Sequence, residues 1–82
     1  MKLEERIAEG VIKAVAKVFD RDVSEITRDT RFVEDLRAKS ANIVALVALL
    51  QNEFGVMISL MEARRRKTVG EAIDYIISLR RQ

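Results

Sequence analysis

The sequence predicts an all-α fold of three main helices, one short helix and one long first loop, in a single domain over residues 1–82. Three observations predict it. Apolar residues recur every three or four positions in three separate segments, the spacing of one helix face. The segment between the first two is rich in Asp, Ser and Thr, whose side chains compete for backbone hydrogen bonds and favour turns. Ser40 and Thr68 each stand directly before a later apolar stretch, where a helix N-cap belongs. A core of this size is only marginally sufficient, so nearly every apolar stripe must contribute.

Leu3, Ile7, Val11, Ala14, Val15, Val18 and Phe19 define the first helix, over residues 3–19. Glu5, Glu9, Lys13 and Lys17 occupy its other face, with Glu9 and Lys13 an i,i+4 pair in the favourable order. Residues 20–39 read as a loop held to the core by Val23, Ile26, Phe32 and Leu36. A loop of about twenty residues is uncommon in a compact domain and usually has a function. Ser40 is expected as the N-cap of a helix running from Ala41 to Phe54, with Gly55 in the left-handed position that ends it.

Ile43, Leu46, Val47, Leu50 and Phe54 form the core stripe of that second helix. Ala41, Val44, Ala45, Ala48 and Leu49 are apolar as well, so one greasy face is left for solvent or a partner. Between Val56 and Lys67 the pattern is weaker. Ile58, Met61 and Ala63 are expected to face inward from a short helical turn, and Arg64, Arg65, Arg66 and Lys67 to lie in water. Thr68-Val69-Gly70-Glu71 fits a capping box. The last helix then runs to Leu79 with Val69, Ala72, Ile73, Ile76 and Ile77 inward.

Composition narrows the chemistry. There is no cysteine, so no disulfide framework and no thiolate metal site, and no histidine, so the commonest general base and metal ligand are missing. No metal site is expected from the carboxylate spacing. Net charge is +2, but from Arg37 to Lys67 six basic residues face only Glu53 and Glu62. A local basic field of this kind favours an acidic partner. The longest apolar run, Ile43 to Leu50, is eight residues, far below the roughly 20 a membrane span needs. The first residues lack the apolar core of a signal peptide, and the expectation is a cytoplasmic protein.

Three blocks carry a resemblance. Phe32-Val33-Glu34-Asp35-Leu36, followed by x-Ala-x-Ser, is similar to the approach to the modified serine in bacterial acyl carrier proteins. Glu53-Phe54-Gly55-Val56 resembles their E-F-G-I or E-F-D-I run, and Thr68 to Ile76 resembles their T-V-G-D-A-I-D-Y-I. The blocks are in register without gaps. The resemblance implies a four-helix bundle whose apolar interior shelters an acyl chain, and a carrier rather than an enzyme. It implies that Ser40 receives 4′-phosphopantetheine from coenzyme A by way of a separate phosphopantetheinyl transferase, the arm then holding acyl groups as thioesters for acyl-transferring or acyl-modifying enzymes. It gives Asp35 and Leu36 places beside the attachment point, and Leu46, Leu50, Phe54, Ile58, Ile73 and Ile76 places around the acyl cavity.

The chain departs from the family pattern on one face. Lys39 and Asn42 stand where the family has Asp, Ala41 where it has Leu, and Ala45, Gln51 and Asn52 where it has acids. Arg37 replaces a Gly, Ser59 replaces a Pro, and an acidic third helix becomes Met61 to Lys67. The family docks an acidic second helix on basic partners. Here Arg37, Lys39, Ala41, Val44, Arg64, Arg65 and Arg66 imply acid-surfaced partners in a specialised lipid or fatty-acid-related pathway.

Several readings stay open at this point. Ser40 is a helix cap, an attachment residue, or both. Asp35 orients the arm or makes a turn hydrogen bond. Residues 64–67 are a docking patch or a solvated face. The alternative to a carrier is an unmodified interaction module that uses the greasy second helix to bind another protein or itself, whereas the carrier is expected to be a monomer. Nucleic-acid binding is disfavoured, because only Phe19, Phe32, Phe54 and Tyr75 are aromatic, too few for a stacking platform.

Overall fold

The computed structural model describes residues 2–81. Four helices run in chain order, α1 Leu3–Phe19, α2 Ser40–Phe54, α3 Leu60–Arg65 and α4 Val69–Arg80. One short 3-10 turn, Val23–Glu25, interrupts the first loop. No helix among the described residues is long and apolar enough to cross a membrane.

α1 forms where the 3.6-residue period is cleanest. Ile7, Val11, Val15 and Ala16 point into the core, Glu4 and Glu5 sit in the first turn and Lys17 in the last, all favourable to the helix dipole. Lys13 and Glu9 pair at 2.9 Å on the outer face. Asp20 ends the helix with φ 53°, a left-handed conformation that a short polar side chain tolerates. α1 packs against both α2 and α4. Ile7, Val11, Val15, Val69, Ile73 and Ile76 are almost wholly inaccessible, and each contributes about 1.5–3 kcal/mol by leaving water. Leu3 lies nearer the bundle's edge, at 44 % exposure.

The first loop is sewn to the start of α4. Arg31 and Thr68 form an isolated antiparallel bridge. Phe32 N–H donates to the Lys67 carbonyl at 3.0 Å, and Val69 and Gly70 N–H donate to the carbonyls of Thr30 and Arg28, each at 2.9 Å. The loop thereby satisfies amides that a helix N-terminus otherwise leaves unpaired. Gly70 suits this close approach, because a Cβ there would sit 3.0 Å from the Arg28 carbonyl oxygen and crowd it. Arg28 returns across the seam to Asp74 at 2.9 Å. Ile26, Phe32 and Leu36 are buried as expected, but Val23 is not. It falls in the 3-10 turn, whose Asp22 cap takes the Ser24 amide and hydroxyl and whose direction points Val23 outward.

Several details at helix ends differ from the sequence expectation. Ser40 is the first residue of α2 rather than its cap, because Lys39 holds the cap position and its N–H donates to Asn42 Oδ1 at 2.9 Å. Gly55, with φ 63°, ends α2 as expected. Ser59, which stands where the family has Pro, caps α3, its hydroxyl accepting from Glu62 N–H. At α4 the Thr68 hydroxyl accepts from Glu71 N–H, while the Glu71 carboxylate takes the Lys67 amide instead of the Thr68 amide. Met61 is 66 % exposed rather than inward, because so short a helix turns only one face, that of Ala63, toward the bundle.

Candidate functional site

The site begins with the turn that delivers Ser40. Residues 32–36 make one helical turn, anchored from below by the buried Phe32 and Leu36. Arg37 closes that turn with φ 55°, its N–H donating to the Val33 carbonyl at 3.0 Å. A left-handed residue closing such a turn is normally Gly, so Arg37 holds a conformation that disfavours a side chain. The reversal sends Ala38 back onto the core, and α2 starts two residues later.

Ser40 is exposed on this shoulder. Among the described residues nothing is hydrogen-bonded to its hydroxyl, and the N–H groups of Ser40 and Ala41 find no acceptor outside α2. Arg37 and Lys39 flank it, both exposed and, among the described residues, without an ion-pair partner. A phosphodiester on this oxygen would meet open amides, the positive end of the α2 dipole and two cations. The residues present therefore fit a phosphate-linked arm.

Asp35 is engaged elsewhere. Its Oδ2 accepts from Arg31 N–H at 2.8 Å and from Nε at 3.3 Å, and its Oδ1 accepts from Nη2 at 3.1 Å. The Arg31 side chain first, and then its backbone amide, hold the Asp35 carboxyl below its ordinary range. The same contacts raise Arg31. Asp35 thus clips the turn together, and Leu36 packs beneath it.

Behind Ser40 a cavity of ≈ 20 Å³ lies between α2, α3 and α4. Of the six residues that the resemblance put around an acyl cavity, Leu46, Leu50, Ile58 and Ile76 line this one. Ile73 is buried but does not reach it, facing the main core instead. Phe54 lies at the far end of α2 and lines a groove with Leu3, Ile7 and Arg80. Ile43, Val47, Ala63 and Ala72 also line it, as do Phe32, Tyr75 and Arg66, none of which the sequence reading placed there. Arg66 is the clearest correction, because it does not lie in water with its neighbours. Its side chain is 30 % exposed, its Cζ lies 5.5 Å from the Tyr75 ring centroid, and its Nη2 meets Glu62 Oε1 at 3.4 Å. Arg64 and Arg65 are exposed, and Arg65 shares Glu62 at 3.3 Å.

A family model described as the phosphopantetheine attachment site matches residues 9–76. The acyl carrier protein of Rickettsia canadensis is 41 % identical over 76 residues, which are 93 % of this chain and 88 % of that protein. This chain belongs to the acyl carrier protein family. The acyl carrier protein of Rickettsia typhi is 40 % identical over the same shares of both chains. A solved acyl carrier protein structure from Enterococcus faecalis superposes with a TM-score of 0.78 at 33 % identity, covering 95 % of this chain and 99 % of that one. The matched domain carries 4′-phosphopantetheine, and acyl carrier proteins are carriers rather than catalysts. As a family they meet a phosphopantetheinyl transferase and acyl-handling enzymes. The four-helix architecture is the one the resemblance implied.

Proposed function

We propose that this acyl carrier protein is a cytoplasmic carrier loaded at Ser40, serving a dedicated lipid or fatty-acid-related pathway whose enzymes present acidic docking surfaces. The single observation that carries the reading is the exposed, hydrogen-bond-free hydroxyl of Ser40 at the first turn of α2. In loading, the Ser40 oxygen forms a bond to the phosphorus of coenzyme A that bears the pantetheine. The pyrophosphate link breaks, and the nucleotide leaves with the other phosphate. The Asp35 carboxylate is occupied by Arg31, so the hydroxyl proton passes to a base on the transferase. Asp35 contributes by clipping the turn that presents Ser40, and Leu36 by anchoring it.

The docking surface follows from charge and exposure. Arg37, Lys39, Ala41 and Val44 surround the attachment point, with Arg64 and Arg65 on the adjoining helix, and all six are exposed. Juxtaposed like charges can cost several kcal/mol, so basic-patched partners are disfavoured and acid-surfaced ones favoured. The cavity is too small at ≈ 20 Å³ for a chain of several carbons. Loading it requires α3 to move away from α2 and α4. α3 buries no residue completely, which places it at the low-stability end of the fold.

Intact-mass measurement after incubation with coenzyme A and a broad-range transferase tests the proposal. The expected result is one added phosphopantetheinyl group on the wild-type protein and none on Ser40→Ala. Failure of every transferase tried, on folded protein, would overturn it. One observation favours a second reading, an unmodified interaction module. Val44 at 49 % and Met61 at 66 % exposure leave apolar surface on neighbouring helices. Sedimentation across concentrations distinguishes them, since the carrier reading expects a monomer and the module reading expects association.

A further inference from the structure

The segment from Val56 to Arg66 closes the cavity on one side, with Ile58 and Ala63 among its lining residues. Backbone hydrogen bonds fix both ends of the segment. Gly55 N–H donates to the Gln51 carbonyl at 2.9 Å, and the Lys67 carbonyl accepts from Phe32 N–H at 3.0 Å. Between those ends, among the described residues, two hydrogen bonds join it to other helices. Ile58 N–H donates to Oε1 of Gln51 on α2 at 3.0 Å, and Ser59 N–H donates to the Tyr75 hydroxyl on α4 at 3.2 Å. Two consecutive amides are thus pinned, one to each of the other walls of the cavity. Gln51 stands where the family has an acid and Ser59 where it has Pro. Proline has no N–H to donate, so the second bond depends on that replacement.

We propose that Gln51 and Tyr75 are positioning residues that set the share of acyl cargo held inside the bundle, because an acyl chain of several carbons enters only as both hydrogen bonds break. This rests on the reading that Ser40 carries the arm. At ≈ 20 Å³ the closed cavity has no room for such an acyl chain. Room comes when Ile58 withdraws, and Ile58 withdraws when its own amide and the next are released. Both bonds join neutral groups, which is the weaker kind. Each is worth about fivefold in the balance between shut and open. Burial of the acyl chain's apolar surface offsets that, more so for longer acyl chains. Gln51 does not itself line the cavity, so it acts on cargo through the Ile58 amide and not by touching the acyl chain.

The test uses the full chain. Amide hydrogen exchange is read first without an arm. Gln51→Leu, which keeps the size without the acceptor, should speed exchange at Ile58 by about fivefold or more. Tyr75→Phe, which keeps the ring against Arg66, should do the same at Ser59. Gln51→Glu, which keeps an acceptor, should stay at the wild-type rate. Octanoyl and acetyl arms are then installed at Ser40 and checked by intact mass. The ratio of octanoyl inside to outside is read from proton NOEs between its methyl group and those of Leu46 and Ile76. That ratio should rise about fivefold in Gln51→Leu and in Tyr75→Phe, rise further in the double variant, and stay at the wild-type value in Gln51→Glu. The acetyl arm, with no chain to shelter, should not move. A merely structural role would instead speed exchange in α1 and α4 as well and leave the octanoyl ratio where it was. An equal octanoyl ratio in every variant would overturn the inference and leave the carrier reading intact. So would wild-type Ile58 and Ser59 amides that exchange no faster with octanoyl than with acetyl, a comparison that needs no variant to fold. No arm at Ser40 at the mass step would overturn both.

Discussion

The segment from Ile26 to Leu36 and the segment from Val56 to Arg66 flank the same cavity and are held in different ways. The first buries Ile26, Phe32 and Leu36 and exchanges backbone hydrogen bonds with the start of α4. The second has no fully buried residue and is tied to its neighbours by side chains. Gln51 Oε1 accepts from Ile58 N–H at 3.0 Å, and the Tyr75 hydroxyl accepts from Ser59 N–H at 3.2 Å. A carrier needs both kinds of wall. On the proposed reading, the one leading to Ser40 holds a tether in a fixed place for docking, and the one beside it opens for cargo. Local opening is cheapest where buried apolar contact is least.

The largest expected effect lies on the firm side. Phe32 is 4 % exposed, tilts against Phe19 with ring centroids 6.3 Å apart, and forms part of the cavity wall. Phe32→Ala should destabilise the whole domain by about 3–5 kcal/mol, measured by urea unfolding. Ser59→Ala, on the soft side, removes the α3 cap and should cost about 1 kcal/mol. Its signature is faster amide hydrogen exchange confined to residues 60–65, with little change in the global midpoint. Should Ser59→Ala lower the midpoint as far as Phe32→Ala, the two walls are one cooperative unit and the comparison fails.

The same contrast explains how much of the molecule was legible in its sequence. α1, α2 and α4 are long enough for a 3.6-residue period to declare itself, and their bounds match to within a residue or two. α3 has six residues, less than two turns, so Met61 and Ala63 carried no phase information and one was placed on the wrong face. Val23 failed for the same reason in a 3-10 turn of three residues. Ser40 was placed as a cap from residue type alone. The signal that corrects it is Asn42, whose side chain takes the Lys39 amide and frees the serine. Arg66 sat inside a run of four cations and read as a solvated face. A long aliphatic stem lets an arginine lie along apolar surface, and the presence of Tyr75 nine residues later gave no sequence hint of their stacking. Leu46, Leu50, Ile58 and Ile76 line the cavity because a core stripe and a cavity wall share their apolar residues.

Arg37 stands where the firm wall hands over to α2, and it tests whether the strain there is structural. A non-glycine residue at φ 55° gives up roughly 1–2 kcal/mol to the left-handed conformation. Glycine recovers that but loses about 0.5–1 kcal/mol of chain entropy. Arg37→Gly should therefore stabilise the domain by about 0.5 kcal/mol in urea unfolding. Arg37→Ala, which keeps the strain and removes the charge, should not. A gain for both would locate the effect in charge repulsion with Lys39 rather than in the backbone.

The smallest effect is expected from acid, and it separates the clip at Asp35 from the packing beneath it. The Arg31 contacts lower the Asp35 pKa in the folded protein. A carboxyl depressed on folding contributes stability that is fully present above its unfolded value, about 3.9, and that is lost as pH falls through the folded value. Asp35→Asn removes this component, so its urea midpoint should decline less steeply than that of the wild type below about pH 4. The pair is solvent-exposed, which keeps the difference small. Amide exchange at Phe32 to Arg37 should rise in the variant at neutral pH, where the clip is otherwise intact, while exchange in α3 stays unchanged. Unchanged exchange across that turn would assign its rigidity to Phe32 and Leu36 alone. The Asp35 carboxylate would then have no part in presenting the proposed attachment residue, Ser40.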